Sequence, residues 1–282
     1  MKWILTSLIL LEIFTATGKK AGISKKCSSF DNVEIDYTVY GKGKEIVLFV
    51  HGWSCDQTYW RNQIEYFKDR YKVVTMDLVG HGLSGTQRSQ PTISSFGNDI
   101  VAVVNDMNIK NSKLYLVGHS MGGIAVLDAA VKLKERNIQI VIVDVLRKKF
   151  WPVSDEFLQY LSGLMENNFE ENIYNIVRSA MFIPTSDNVL AHQVAEHMSK
   201  ANPDFARFAM LDLYSGNYDE LVKNIQNINV NTVLINSDIE KNDEEGLRTM
   251  GFDQIITMQA VGHFPMLEKP DEFNRLLSNY LK

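Results

Sequence analysis

The strongest constraint on this chain is a rhythm of short apolar runs, each ending on a polar residue or glycine, with helix-length stretches between them. Residues 45–50 (EIVLFV) end in His51-Gly52, and residues 73–76 end at Asp77. Residues 114–117 end at Gly118, 138–143 at Asp144, and 232–235 at Asn236-Ser237. The last run, 254–258, stands shortly before Gly262-His263. Runs that are apolar on both faces and rich in Val and Ile suit parallel strands covered by helices on either side. Ahead of them, Val33, Ile35, Tyr37 and Val39 alternate with polar residues, the mark of a half-buried strand. Residues 122–134 and 270–281 are the clearest crossover helices. Repeated strand–helix alternation predicts a mostly parallel, doubly wound α/β sheet. A chain of 282 residues, 45% of them hydrophobic, is ample for one such domain with an insertion.

One interval breaks the rhythm. Between Leu146 and Asn229 no strand-like run occurs, yet much of the aromatic and methionine content lies there, including Phe157, Tyr160, Met165, Met181, Met210 and Tyr214. Phe157, Tyr160, Leu161 and Leu164 are spaced as on one face of a helix. This interval predicts a helical cap inserted between the sixth and seventh strands. Most of its large apolar side chains should pack the cap onto the core. A few should line a ligand pocket, because such pockets are mostly apolar.

The first eighteen residues follow another pattern. Lys2 precedes the apolar stretch 3–11, and Ala16-Thr17-Gly18 supplies small residues before Lys19-Lys20. That is the layout of an export signal, although Glu12 interrupts it. The expectation is a periplasmic or secreted protein, or a cytoplasmic one if this segment is instead a helix of the folded chain. The run is short for a bilayer span, so no stable membrane insertion is expected. Cys27 and Cys55 are the two cysteines, and the sequence leaves their pairing open. With a net charge of −5, no basic stripe and no zinc-ligand spacing, nothing supports a nucleic-acid partner or a metal site.

The chemistry concentrates in Gly118-His119-Ser120-Met121-Gly122, directly after one strand-like run and opening a helix-like one. A G-x-S-x-G segment in that context presents a serine hydroxyl on a sharp strand-to-helix turn. Three further motifs accompany it in order: His51-Gly52-Trp53, the loop Asp77-Leu78-Val79-Gly80-His81-Gly82, and Gly262-His263-Phe264-Pro265. Together these resemble the α/β-hydrolase superfamily, specifically its capped esterase-like branch, from about Val33 to the C-terminus. The resemblance implies an eight-stranded sheet with the cap between strands 6 and 7. It divides the chain into residues 1–18 as signal peptide, 27–146 and 230–282 as core, and 147–229 as cap.

The resemblance also assigns roles. Ser120 would be the nucleophile and His263 its general base, with the backbone amides of Trp53 and Met121 as oxyanion donors. His51, His119 and the Asp77 loop would be structural, and His192 and His197 solvated in the cap. The acid should follow the seventh strand, where Asp238 stands nearest the strand end. Placing Ser237 where relatives carry glycine selects Glu240 instead, and a subset of the family has its acid after the sixth strand, at Asp144. The expectation is Asp238, with Glu240 and Asp144 as alternatives. The implied reaction is hydrolysis of a carboxylic ester of a small, partly apolar substrate through an acyl-enzyme, without metal or organic cofactor. A lactonase, a thioesterase, a carbon–carbon hydrolase and a cofactor-free perhydrolase would use the same residues. A non-catalytic binding protein on the same scaffold is a further alternative.

Overall fold

Strands without a polar face need cover on both sides, and helices supply it. The computed structural model describes residues 22–109, 112–149 and 153–281. Its eight strands are β1 (Ile23–Ser28), β2 (Glu34–Tyr40), β3 (Ile46–Val50), β4 (Lys72–Met76), β5 (Leu114–His119), β6 (Ile138–Val143), β7 (Thr232–Ser237) and β8 (Gln254–Met258). They form one sheet in the order β1-β2-β4-β3-β5-β6-β7-β8. The first two join it antiparallel and the rest run parallel. All five residues of β3 and all six of β5 are buried. The strand order reverses at β3, which lies between β4 and β5. In an open α/β sheet the crevice at such a reversal, beyond the carboxyl ends of the strands, is the natural place for a ligand.

The helices flanking the sheet are α1 (Arg61–Phe67), α2 (Ile93–Asp106), α3 (Met121–Lys132), α9 (Glu244–Thr249), α10 (Pro265–Glu268) and α11 (Pro270–Ser278). Between β6 and β7 come α4 (Asp155–Glu166), α5 (Phe169–Ala180), α6 (Asn188–Met198), α7 (Pro203–Ser215) and α8 (Asp219–Asn227). Their starts are written locally: Ser154, Asp187 and Asn202 each accept hydrogen bonds from first-turn amides. Among the described residues no helix is long and apolar enough to cross a membrane. The segment 1–18, read above as an export signal, lies outside the described residues. Cys27 and Cys55 are both free thiols.

The strand β1 has no counterpart in the sequence reading. Its residues ISKKCS are largely exposed, and it lies at the sheet edge against β2. Paired lysines on an edge strand discourage further pairing and erase the apolar signal that marks inner strands.

This edge is fastened from below by charge. Arg88 donates through Nη2 to Asp99 at 2.8 Å and through Nε to Asp31 at 2.8 Å, while Ser29 also donates to Asp99 at 2.5 Å. Asp99 is fully buried on α2, and burial pushes its carboxyl up against the downward pull of Arg88. Removing one partner of such a pair strands the other charge. Arg88→Met is therefore expected to cost about 3–5 kcal/mol in urea unfolding at pH 7, and the double variant Arg88→Met/Asp99→Leu to recover much of it.

Candidate active site

The turn from β5 into α3 carries Ser120 at φ 51° and ψ −127°, a backbone region L-residues avoid. Its amide donates to the carbonyl of Val143 at 2.8 Å, which fastens the turn to the end of β6. The turn closes on itself without room for side chains at its glycines. A Cβ on Gly118 would lie 2.4 Å from the Gly122 carbonyl oxygen, and one on Gly122 would lie 2.2 Å from that of His51. The two glycines are thus required by contact, and the strain they permit aims Ser120 at the cavity.

After β3 the chain turns through His51, Gly52 and Trp53. Among the described residues neither the Trp53 nor the Met121 amide donates to a protein acceptor. Met121 opens α3, so its N–H also stands at the positive end of a helix. The ring of Trp53 reaches the other way, donating through Nε1 to the Ala206 carbonyl on α7 at 2.7 Å.

Three histidines beneath the site are wired as neutral rings. His51 donates through Nδ1 to the Gly52 carbonyl and accepts the Leu78 amide at Nε2, 3.0 Å away. His81 donates to the Val79 carbonyl and accepts the Ser54 amide. His119 donates through Nε2 to the His263 carbonyl at 2.8 Å. Burial drives their pKa values down, to about 4 for His51 and about 3 for His81 and His119. Asp77 accepts the amides of Gln57 and Leu83, so this loop is held by its carboxylate.

His263 lies between β8 and α10. Its amide donates to the Met181 carbonyl at 2.7 Å, and its Nδ1 donates to Asp144 Oδ2 at 2.7 Å. The carboxylate bonded to this imidazole is therefore Asp144, at the end of β6, and not Asp238. Asp238 is spent on backbone, accepting the amides of Ala260 at 2.8 Å and Val261 at 3.2 Å. Glu240 turns its carboxylate to Lys148 at the surface. Asp144 itself sits at φ 56° with a fully buried side chain. Its Oδ1 accepts the Ser237 amide at 2.5 Å and a bond from Arg147. Burial alone raises a carboxyl pKa, but the bonds from His263, Arg147 and Ser237 outweigh it and hold Asp144 below the usual range.

The sequence pattern favours Asp238 over Asp144 and does not show the bonds that Arg147 and Ser237 make to the latter. The available signal was an arginine three residues beyond an acidic strand terminus.

Ser120, His263 and Asp144 open into one cavity of about 610 Å³. Its far wall comes from the helices between β6 and β7, through Phe157, Leu161, Leu164, Met165, Met198 and Met210. Cys55 also lines it, while His192 and His197 stay about half exposed on α6. Mostly apolar walls with a few polar groups at one end are what small-molecule pockets generally have.

This arrangement has relatives. A model described as the alpha/beta hydrolase family matches residues 47–276. The chain belongs to this family. Within it, the dihydrolipoyllysine-residue acetyltransferase component of the acetoin cleaving system of Cupriavidus necator is 29% identical over 123 residues, 44% of this chain and 32% of that protein. The 3-oxoadipate enol-lactonase 2 of Acinetobacter baylyi is 28% identical over 118 residues, 42% of this chain and 43% of that one. The matches thus span about a third and under half of these curated relatives' lengths. In architecture the chain resembles a thermophilic esterase from Thermogutta terrifontis, with a TM-score of 0.77 at 20% identity, covering 93% of this chain and 98% of that one. At that identity the likeness shows the shared α/β-hydrolase fold.

The three neutral histidines make this hydrolase-family fold sensitive to acid. Unfolded, each imidazole takes up a proton below about pH 6.5. Folded, each resists until pH 3–4. The unfolded state then binds more protons, so stability is full above pH 6.5 and falls as pH drops. Three such groups give a slope of up to about 4 kcal/mol per pH unit between pH 6 and 4. Urea unfolding across that range is expected to show it, and His81→Gln to lower the slope by about one proton.

Proposed function

We propose that this chain is a serine hydrolase that cleaves carboxylic esters of small, partly apolar molecules through an acyl-enzyme on Ser120. The observation that carries the reading is the 2.7 Å bond between Asp144 and His263 Nδ1, in the same cavity as a serine on a positive-φ turn. With Nδ1 donating to the carboxylate, the neutral imidazole presents a lone pair at Nε2. That nitrogen takes the Ser120 proton as Oγ attacks the substrate carbonyl. The forming oxyanion is met by the Trp53 and Met121 amides, donors worth about 3–4 kcal/mol each in comparable enzymes. The imidazolium, held by Asp144, then gives its proton to the departing alkoxide. Water repeats the cycle on the ester carbonyl, His263 again acting as base, and releases the acid.

The apolar wall supports acyl or alkyl groups of medium length. Methionines at 165, 198 and 210 adapt to shape better than branched side chains, which favours a broad rather than a sharp length preference. A second reading is a lactonase, favoured by the similarity to the Acinetobacter enol-lactonase. A lactone is an internal ester, and the same steps open it.

Hydrolysis of p-nitrophenyl esters from acetate to decanoate tests the proposal. The wild type is expected to turn over the series with a broad optimum. Ser120→Ala and His263→Ala should lose about 10³-fold or more, and Asp144→Asn about 10³–10⁴-fold. Asp238→Asn should stay within about threefold, because its bonds go to backbone amides. A folded wild type that hydrolyses neither these esters nor simple lactones, and whose Ser120 ignores a fluorophosphonate probe, sinks the reading.

A further inference from the structure

We infer that Arg147 is a positioning residue for the acid–base pair, fixing the Asp144 carboxylate and opposing, by its charge, protonation of His263. The inference rests on the serine-hydrolase reading for its meaning, but its geometry stands separately. Arg147 is 7% exposed, although it belongs to the loop that leaves β6. Its Nη1 donates to the carbonyls of Ser237 at 2.7 Å and Glu240 at 2.8 Å. Its Nη2 donates to the Ser237 hydroxyl at 2.8 Å and to Asp144 Oδ1. All four terminal N–H groups of the guanidinium are therefore committed to the ends of β6 and β7. The Ser237 amide takes Oδ1 as well, which leaves Oδ2 for His263. One oxygen is anchored and the other faces the base.

A surface ion pair would contribute little here, but this one is buried, and the planar fork matches groups on two strands at once. The charge has its own consequence. When His263 gains a proton, two cations share one carboxylate, and the guanidinium disfavours the second. The other two cations that line the cavity, Lys148 and Lys149, are paired with Glu240 and Asp219 at the surface. His119, whose ring centroid is 4.7 Å away, is kept neutral by burial. From β7 and its loop, Asp238 is bound to the Ala260 and Val261 amides and Glu240 to Lys148. From α10, Glu268 accepts the Phe264 amide and the Ser186 hydroxyl. Met181 and Phe182, in the loop after α5, bring no charge.

The experiment follows the rate at which a fluorophosphonate labels Ser120 between pH 5 and 9. It compares wild type, Arg147→Met and Arg147→Lys, each checked for folding by thermal unfolding. For Arg147→Met the acid-side fall in rate is expected to move up by about one pH unit, with an alkaline plateau within about tenfold of wild type. For Arg147→Lys, which keeps the charge and loses the fork, the midpoint is expected to stay within about 0.3 unit while the plateau drops severalfold. An unmoved midpoint in a folded Arg147→Met overturns the inference. If that variant does not fold, a midpoint displaced by about a full unit in Arg147→Lys, or an unchanged plateau, overturns it instead. If the wild type is not labelled at any pH, the hydrolase reading fails. The charge effect is then read from NMR titration of the His263 ring carbons, where Arg147→Met must move the midpoint up relative to wild type and an unmoved midpoint rejects it.

Discussion

The site depends on one close approach: the β5–α3 turn is pressed against the loop after β3 with no space for a Cβ between them. At Gly122 the contact is with the His51 carbonyl, and at Gly118 with the returning turn itself. That contact accompanies the positive φ of Ser120, and it puts the Met121 amide at the start of α3. The strain is held in place by neighbours rather than by the turn alone. Val143 accepts the Ser120 amide, and His51 takes the Leu78 amide while bonding Gly52. An outlying backbone conformation of this kind persists only when its surroundings over-determine it.

Much of this was legible because it is local. The elbow glycines, the serine and the strand before them occupy a few consecutive residues, and the inner strands announce themselves by unbroken apolar runs. The polar edge strand β1 carries no such run and was invisible. The carboxylate that bonds His263 was less legible, for a different reason. Asp144 lies 119 positions from His263, and nothing in the spacing of Asp238 or Glu240 tells which carboxylate reaches the imidazole. What decides is the pairing of β6 with β7, which sets Val143 beside Ile235 and so brings the Ser237 amide over Asp144. The end of β7, where the sequence pattern points for the partner of His263, supplies the Ser237 amide that holds Asp144 instead.

Placing the carboxylate on β6 has an energetic consequence. An aspartate with a fully buried side chain cannot stay ionised on one hydrogen bond, because the desolvation of a lone carboxylate outweighs it. Here three donors, from Ser237, His263 and Arg147, satisfy it, and two of them are cations or become so. The same logic governs the neutral histidines nearby. Each has a carbonyl to receive its N–H, and burial, not a partner charge, fixes its protonation. Of the four rings in and beneath the floor of the cavity, His51, His81 and His119 bond to carbonyls and only the part-exposed His263 bonds to a carboxylate.

The helices between β6 and β7 are bound into this floor, not laid over it. Met181 accepts the His263 amide, Ala206 accepts the Trp53 ring, and Phe182 stacks on Phe264 at 5.4 Å. Lifting the end of α5 would therefore disturb the His263 loop, and lifting the start of α7 the Trp53 loop. Helix α4 is different. It packs on α5 and α7, buries only Met165 fully, and keeps Phe157 and Tyr160 exposed. Its packing on α7 includes the Arg207–Glu166 ion pair at 3.3 Å, and from it Leu161, Leu164 and Met165 line the cavity. The apolar wall and the anchors of the Trp53 and His263 loops thus belong to one packed insertion.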